Sequence, residues 1–154
     1  MIYVVTKAAN EIEEFRYRFK DGQVVLYDGI KTSFTYLNKE TELMKNLVVE
    51  MTSTLEEFLV QAKEVNERQK EYFTGPMGND IYQFSAIPWI SFTHISHTYS
   101  AKKDNAVPMF DWGRFYKKEG KLVLPFSIQA HHSFVDGIHM GKMAKKLQVN
   151  LDEL

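Results

Sequence analysis

The sequence contains no cysteine, no excess of basic charge and no long apolar run. The absence of cysteine excludes disulfide frameworks, thiolate zinc sites and cysteine nucleophiles. Lysine and arginine number 19 against 20 acidic residues, for a formal charge of -1, whereas a nucleic-acid binder would show a basic stripe. The apolar runs are shorter than the roughly 20 residues that span a bilayer, and no secretory leader is recognisable. These absences are consistent with a cytoplasmic protein.

The composition is that of a packed globular domain. Hydrophobic residues make up 44%, charged residues 25% and aromatic residues 14% of the 154 positions. A chain of this size buries roughly two-thirds of its unfolded surface, so a core can form without a metal or a disulfide. We therefore expect one domain over residues 1–154.

Hydrophobic spacing and turn residues predict the elements of the first half. Residues 1–17 are expected to carry the end of a helix that runs into a strand. Asp21-Gly22 lies between the apolar runs 15–19 and 24–27, which predicts a hairpin. Residues 32–37 alternate between apolar and polar types and predict a third strand.

The second half adds helices and strands. Thr54, with Glu57 three residues later, predicts a capping box that opens a helix. The other predicted elements are the body of that helix over 54–73, strands over 84–92 and 122–130, a hairpin turn over 117–121 and a short helix that begins at Asp136-Gly137. A run of strands with two or three helices predicts an α/β two-layer sandwich, a mixed sheet packed by helices.

The densest cluster of reactive side chains is H-H-S-F-V-D-G at residues 131–137, between a predicted strand and a predicted helix. Histidine can take and return a proton near pH 7. Asp136 could hold the ring of His132, fix its tautomer or order the turn, and it could also be only the N-cap of the last helix. Because strand side chains alternate, one of His131 and His132 is expected to be structural.

Two other features admit both a structural and a functional interpretation. His132, Asp136 and His139 are four and three residues apart, which could place metal ligands on one helical face, although Gly137 disturbs that face. Ser85 lies among apolar strand residues, where it could satisfy a backbone carbonyl or donate a hydrogen bond to an oxyanion. No G-x-S-x-G elbow surrounds it, so a nucleophilic role is not predicted.

Two segments together carry a family resemblance. H-H-S-F-V-D-G at 131–137 and S-A-I-P-W at 85–89 resemble the trimeric, acetyl-CoA-dependent chloramphenicol acetyltransferases. Residues 10–16 resemble that family's helix-to-hairpin segment, and residues 124–129 resemble its strand leading into the histidine pair. The histidine motif alone also occurs in dihydrolipoyl acyltransferases and condensation domains, and the serine-proline-tryptophan strand raises its specificity. The resemblance covers essentially the whole chain and implies the fold of the CoA-dependent acyltransferases.

The resemblance implies a catalytic role for three residues. His132 would be the general base, whose Nε2 takes the proton from the 3-hydroxyl of chloramphenicol as that oxygen attacks the thioester of acetyl-CoA. Ser85 would donate a hydrogen bond to the oxyanion of the tetrahedral intermediate. Asp136 matches the family's structural aspartate, which orders the site through a buried ion pair with an arginine.

The resemblance also implies binding residues. Ile95 and His97 would line the antibiotic pocket, and Arg114 and Phe115 would lie on the coenzyme side. Asp111 stands near the oxyanion, where the family usually has a threonine. A carboxylate there is unfavourable beside developing negative charge unless it is paired or protonated.

As a whole, the resemblance implies an antibiotic-resistance enzyme that is a cytoplasmic homotrimer with acetyl-CoA as cosubstrate, and without a metal, a nucleic-acid partner or a membrane partner. The chain is expected to lack the family's amino-terminal segment, together with the arginine partner of Asp136. Two alternatives stay open. One is a truncated, non-catalytic remnant of such an enzyme, and the other is a related acyltransferase with a different acceptor.

Overall fold

The structure is a computed structural model that describes residues 1–75, 77–97 and 105–153. Its helices are α1 (Ile2–Asn10), α2 (Leu55–Arg68) and α3 (Gly137–Asp152). Its strands are β1 (Tyr17–Lys20), β2 (Gln23–Leu26), β3 (Lys31–Leu37), β4 (Met44–Val49), β5 (Ile81–Ile87), β6 (Met109–Gly113), β7 (Tyr116–Lys118), β8 (Lys121–Val123) and β9 (Phe126–Gln129). Within these described ranges, no helix has both the length and the apolar character needed to cross a bilayer.

A five-stranded mixed sheet forms the centre, in the order β4-β3-β5-β6-β9. The three inner strands, β3, β5 and β6, run parallel to one another. The outer strand β4 is antiparallel to β3, and the outer strand β9 is antiparallel to β6. The pairs β1-β2 and β7-β8 form two separate hairpins. The observed architecture confirms the predicted α/β class with a mixed sheet packed by helices.

The amino-terminal segment folds as its apolar spacing predicts. Helix α1 buries Val4, Val5, Ala8 and Ala9 against the core, which also contains Met143 of α3. A short 3-10 helix, Glu13–Phe15, separates α1 from β1. The hairpin is confirmed at Asp21 and Gly22, whose φ angles of 52° and 76° both lie in the left-handed region.

Helix α2 begins at the predicted capping box. The Thr54 hydroxyl accepts a hydrogen bond from the Glu57 N–H, and the Glu57 carboxylate accepts one from the Thr54 N–H, both at 3.2 Å. The helix ends at Arg68 instead of residue 73. Lys45 of β4 donates to the carbonyl oxygens of Asn66 and Gln69 at 2.9 Å, so a tertiary contact caps carbonyls that the helix leaves free.

Several strand predictions were incomplete. The predicted strand over 84–92 occupies Ile81–Ile87, while β4 and β6 were not predicted at all. The apolar run 122–130 is divided between β8 and β9 at Pro125, which has no N–H to donate to a ladder. The final helix is 16 residues long, although a short one was expected.

Arg18 joins the first hairpin to the beginning of β5. Its guanidinium is buried and donates four hydrogen bonds of 2.7–2.9 Å to the carbonyl oxygens of Phe15, Tyr17, Asn79 and Ile81. It also lies 5.5 Å from the centre of the Tyr82 ring. Burial lowers the pKa of Arg18 to about 10. The charge is thus solvated by backbone carbonyls and an aromatic face.

Candidate active site

A closed turn carries the histidine pair from β9 to α3. The N–H groups of Phe134 and Val135 both donate to the carbonyl oxygen of His131 at 3.0 Å. Val135 is buried in the core, which anchors the turn from below. Asp136 then serves as the N-cap residue of α3, as one interpretation of the sequence predicted.

His132 projects from this turn into solvent. Its side chain is 85% exposed, and its Nδ1 lies 3.0 Å from Oδ1 of Asp136. In the neutral ring, a carboxylate at Nδ1 holds the proton on that nitrogen and leaves the lone pair on Nε2. Nε2 is therefore the nitrogen of His132 that can accept a proton from a ligand.

The neighbouring His131 lies in a different environment. Its half-buried ring packs edge-on against Phe19 with 5.4 Å between the ring centres. Its Nδ1 accepts a hydrogen bond from the Ser133 N–H at 3.2 Å. His131 is thus held by packing against Phe19 and by a backbone hydrogen bond, whereas the side chain of His132 extends into solvent.

Asp136 and His139 hold the start of α3. The Asp136 N–H donates to Nδ1 of His139 at 2.9 Å, and Nε2 of His139 lies 3.2 Å from Oε1 of Glu14. Both nitrogens of His139 are therefore engaged, which leaves none for a metal. No group of three His, Asp or Glu side chains suited to a metal occurs in the described ranges.

The environment of Asp136 differs from that of the family's structural aspartate. The resemblance pairs that aspartate with an arginine that this chain was expected to lack, and here the Asp136 side chain is 63% exposed and its ionic contact within the described ranges is with His132. The distance to His132 agrees instead with the interpretation from spacing, in which an aspartate four residues later holds the ring.

Ser85 lies at a second place, on the central sheet. It is the register partner of Asp111 on the parallel strand β6, so the two side chains share one face of the sheet. Ser85 and His97 line the same cavity of about 220 Å³. His132 does not line this cavity, and within one chain the sheet site and the histidine turn are separate groups.

His97 and Asp111 form a close pair at this cavity. Nε2 of His97 lies 2.8 Å from Oδ1 of Asp111. The Asp111 side chain is fully buried, and its Oδ2 has no hydrogen-bond partner among the described residues. From the sequence, a carboxylate at position 111 was expected to be unfavourable unless it is paired or protonated. The contact with His97 provides such a pairing.

The remaining candidate residues are more dispersed. Ile95 is half-buried two residues before His97. Arg114 is exposed, and its backbone N–H donates to the Ile90 carbonyl oxygen at 2.7 Å. Phe115 is 63% exposed and lines a separate cavity of about 540 Å³, with Leu122 and Leu147 among its other lining residues.

Sequence reasoning missed the polar lining of the smaller cavity. Ser33 and Thr35 of β3, Asn46 of β4 and Gln83 of β5 line it together with Ser85. The alternation of β3 could have indicated this face, because Ser33 and Thr35 alternate with Phe34 and Tyr36. Asn46 lies on a strand that was not predicted, so no signal pointed to it.

Comparison with known proteins gives consistent matches. The family model described as "Chloramphenicol acetyltransferase" matches residues 1–148. A chloramphenicol acetyltransferase of Klebsiella sp is 30% identical over 155 residues, which are 99% of this chain and 71% of the relative. Chloramphenicol acetyltransferase 2 of Escherichia coli is 30% identical over 158 residues, which are 100% of this chain and 74% of the relative.

Solved structures agree with these matches. A structure named chloramphenicol acetyltransferase superposes with a TM-score of 0.85 at 31% identity, covering 97% of this chain and 74% of that one. A probable dihydrolipoamide acetyltransferase from Listeria monocytogenes superposes with a TM-score of 0.64 at 12% identity, covering 99% and 68%, and so shares the fold. From the family match and these relatives, the chain belongs to the chloramphenicol acetyltransferase family of acyltransferases.

Proposed function

We propose that this chain transfers an acetyl group from acetyl-CoA to the 3-hydroxyl of chloramphenicol, with His132 as the general base, and thereby confers resistance to that antibiotic. The observation that carries the proposal is the pair between Nδ1 of His132 and Asp136 at 3.0 Å, which leaves Nε2 of an exposed ring free. The family match and the names of the relatives support the acetyl group and chloramphenicol, and acetyl-CoA as the donor is what the sequence resemblance implies.

In the proposed reaction, Nε2 of His132 acts first as a base and then as an acid. Nε2 of His132 removes the proton of the 3-hydroxyl as the oxygen bonds to the thioester carbon, and the carbonyl becomes an oxyanion. Collapse of the tetrahedral intermediate breaks the carbon–sulfur bond, and the imidazolium returns the proton to the leaving thiolate. A positioned base of this kind contributes roughly 10²–10⁴-fold to the rate.

Ser85 would donate a hydrogen bond to the oxyanion. Its support is its place on the face of β5 that borders the cavity of about 220 Å³, beside the buried Asp111. A donor of this type is worth roughly 3–4 kcal/mol in the transition state because its dipole is already oriented. Asp136 would act through His132 by fixing its tautomer.

A homotrimer with sites at the subunit junctions would bring these groups together. Within one chain His132 is 85% exposed and does not line the cavity of Ser85, so a second subunit seated against the turn would complete the site. Sedimentation or light scattering should give about three times the 18.0 kDa of one chain. A monomeric mass for an active preparation would contradict this part of the proposal.

Arg114 and Phe115 would bind acetyl-CoA. Phe115 borders the larger cavity between the β7-β8 hairpin, β9 and α3, and Arg114 is an exposed cation that could meet a phosphate. Use of acetyl-CoA favours a cytoplasmic location, which stays a prediction.

The decisive experiment follows thiol release from acetyl-CoA by the 154-residue chain, with and without chloramphenicol. We expect release that depends on chloramphenicol, and a product heavier by one acetyl group in mass spectrometry. Absence of chloramphenicol-dependent release, with the chain folded, would favour the non-catalytic remnant.

A related acyltransferase with a different acceptor is the second candidate. The His97-Asp111 pair favours this candidate, together with the hydroxyl and amide side chains that line part of the cavity. The same assay with a panel of alcohols and amines would identify such an acceptor by thiol release in the absence of chloramphenicol.

A further inference from the structure

The His97-Asp111 pair is built into the sheet face that carries Ser85. Asp111 is fully buried, while the His97 side chain is 31% exposed and borders the cavity of about 220 Å³. The carboxylate therefore reaches this cavity only through the imidazole. The imidazole is thus held by a buried carboxylate and stays partly exposed at the cavity.

The 2.8 Å contact fixes the chemistry of the exposed ring. In neutral His97, the Asp111 carboxylate accepts from Nε2–H, so the lone pair lies on Nδ1. A buried carboxylate strongly favours this tautomer, because the opposite one would set two acceptors against each other. Nδ1 is thus the hydrogen-bond acceptor that the ring can offer to a ligand.

The rest of the cavity lining is uncharged and mixes polar with apolar side chains. The other lining residues besides Ser85 are Ser33, Thr35, Asn46, Gln83, Phe84 and Met109, and none has a side chain that ionises near neutral pH. Asp111, which lies behind His97 and does not line the cavity, is the charged group that the described residues place in contact with the ring.

We propose that His97 is a specificity-determining residue that binds the acyl acceptor, and that Asp111 is the positioning residue behind it. Nδ1 of His97 accepts a hydrogen bond from a donor of the acceptor substrate, a hydroxyl or amide N–H other than the group that is acetylated. This inference rests on the proposed function, because it places the acyl acceptor in the cavity of Ser85. It adds the chemical feature that the acceptor must carry.

Binding of chloramphenicol in the absence of acetyl-CoA tests the inference apart from catalysis. We expect His97→Leu to weaken binding, measured by calorimetry, by roughly fivefold to tenfold, the value of one hydrogen bond. Asp111→Asn should weaken it similarly, and the double variant should be no weaker than His97→Leu alone because both act through one contact. His94→Leu is the matched control, since His94 is exposed three residues away.

A spectroscopic measurement on the unaltered chain avoids dependence on variant folding. The ¹⁵N resonance of His97 Nδ1 should be that of an unprotonated nitrogen and should shift when chloramphenicol is added. A protonated, unshifted Nδ1, binding unaffected by His97→Leu, or additive losses in the double variant would each overturn the inference.

The two proposals fail differently. If His132→Ala abolishes acetylation while His97→Leu leaves binding unchanged, the proposed function stands and this inference falls. If the chain binds chloramphenicol through His97 without acetylating it, the inference stands and the proposed function falls. If it does not bind chloramphenicol at all, both fall.

Discussion

His139 and Glu14 join the final helix to the amino-terminal segment, with 3.2 Å between Nε2 and Oε1. The other ring nitrogen of His139 accepts from the Asp136 N–H at 2.9 Å. Because Nδ1 acts as an acceptor, the ring proton lies on Nε2 and is donated to Glu14. The imidazole of His139 therefore links the turn that carries His132 to the amino-terminal segment, in addition to the buried Val135.

That attachment predicts different effects for two substitutions of His139. His139→Leu removes both contacts, and we expect roughly tenfold lower kcat and a lower melting temperature, since the Asp136 N–H loses its acceptor. His139→Asn supplies an oxygen near the place of Nδ1 and should retain most of the activity. Equal losses in both variants would show that His139 does not position the turn through that bond.

His132→Ala is expected to lower kcat for acetyl transfer by roughly 10²–10⁴-fold, because the family motif assigns the role of general base to this histidine alone. The melting temperature should be unchanged, since the side chain is 85% exposed. Thiol release gives kcat, and thermal unfolding gives the melting temperature. His94→Ala, which removes another exposed imidazole, should behave as the unaltered chain, and retention of most activity by His132→Ala would refute the assignment.

Ser85→Ala tests the second catalytic assignment. Removal of one oriented donor from an oxyanion costs roughly 10²–10³-fold in kcat, with little change in KM because the bond forms fully only in the transition state. Steady-state kinetics at varied chloramphenicol separates the two constants. A rise in KM with unchanged kcat would instead assign Ser85 to binding.

Turns and helix starts that depend on a few neighbouring residues were predictable from the sequence. Asp21-Gly22 and the Thr54-Glu57 capping box both depend on backbone geometry within four residues, and both occur as predicted. The end of α2 was not predictable, since it depends on Lys45, which is distant in sequence. Strands β4 and β6 were missed because their residues gave no clear alternation.

Of the two close pairs at the candidate site, the sequence indicated one and not the other. The His132-Asp136 pair follows from a spacing of four residues across a turn. The His97-Asp111 pair joins a loop residue to an unpredicted strand 14 positions later, so only the fold reveals it. The arginine that the resemblance pairs with the family's aspartate was expected to be absent from this chain, and the described residues give Asp136 an ionic contact with His132.

Arg18 is predicted to be a principal determinant of stability in the first half of the chain. Arg18→Met keeps the length of the side chain but leaves four carbonyl oxygens without their donor, and we expect a loss of roughly 3 kcal/mol in the free energy of unfolding. Chemical denaturation measures this loss. Lys20→Met, an exposed position in the same hairpin, should change it by less than about 0.5 kcal/mol.

Tyr82 is expected to make stability fall in alkaline solution. Burial raises its pKa above the ordinary value of 10.0, so the folded protein keeps the phenol protonated where the unfolded chain ionises. The contribution is therefore complete below pH 10 and is lost as the pH rises further. The lowered pKa of Arg18, to about 10, acts in the opposite direction, because the folded state releases that proton sooner.

Tyr82→Phe isolates the tyrosine from this opposing effect. The hydroxyl is buried without a hydrogen-bond partner among the described residues, so its removal should leave the free energy of unfolding at pH 7 within about 1 kcal/mol. Between pH 9 and pH 11 the variant should lose less stability than the unaltered chain, as measured by urea denaturation at each pH. Parallel losses in the two proteins would mean that Tyr82 does not govern the alkaline limit, because other ionisations common to both would then account for it.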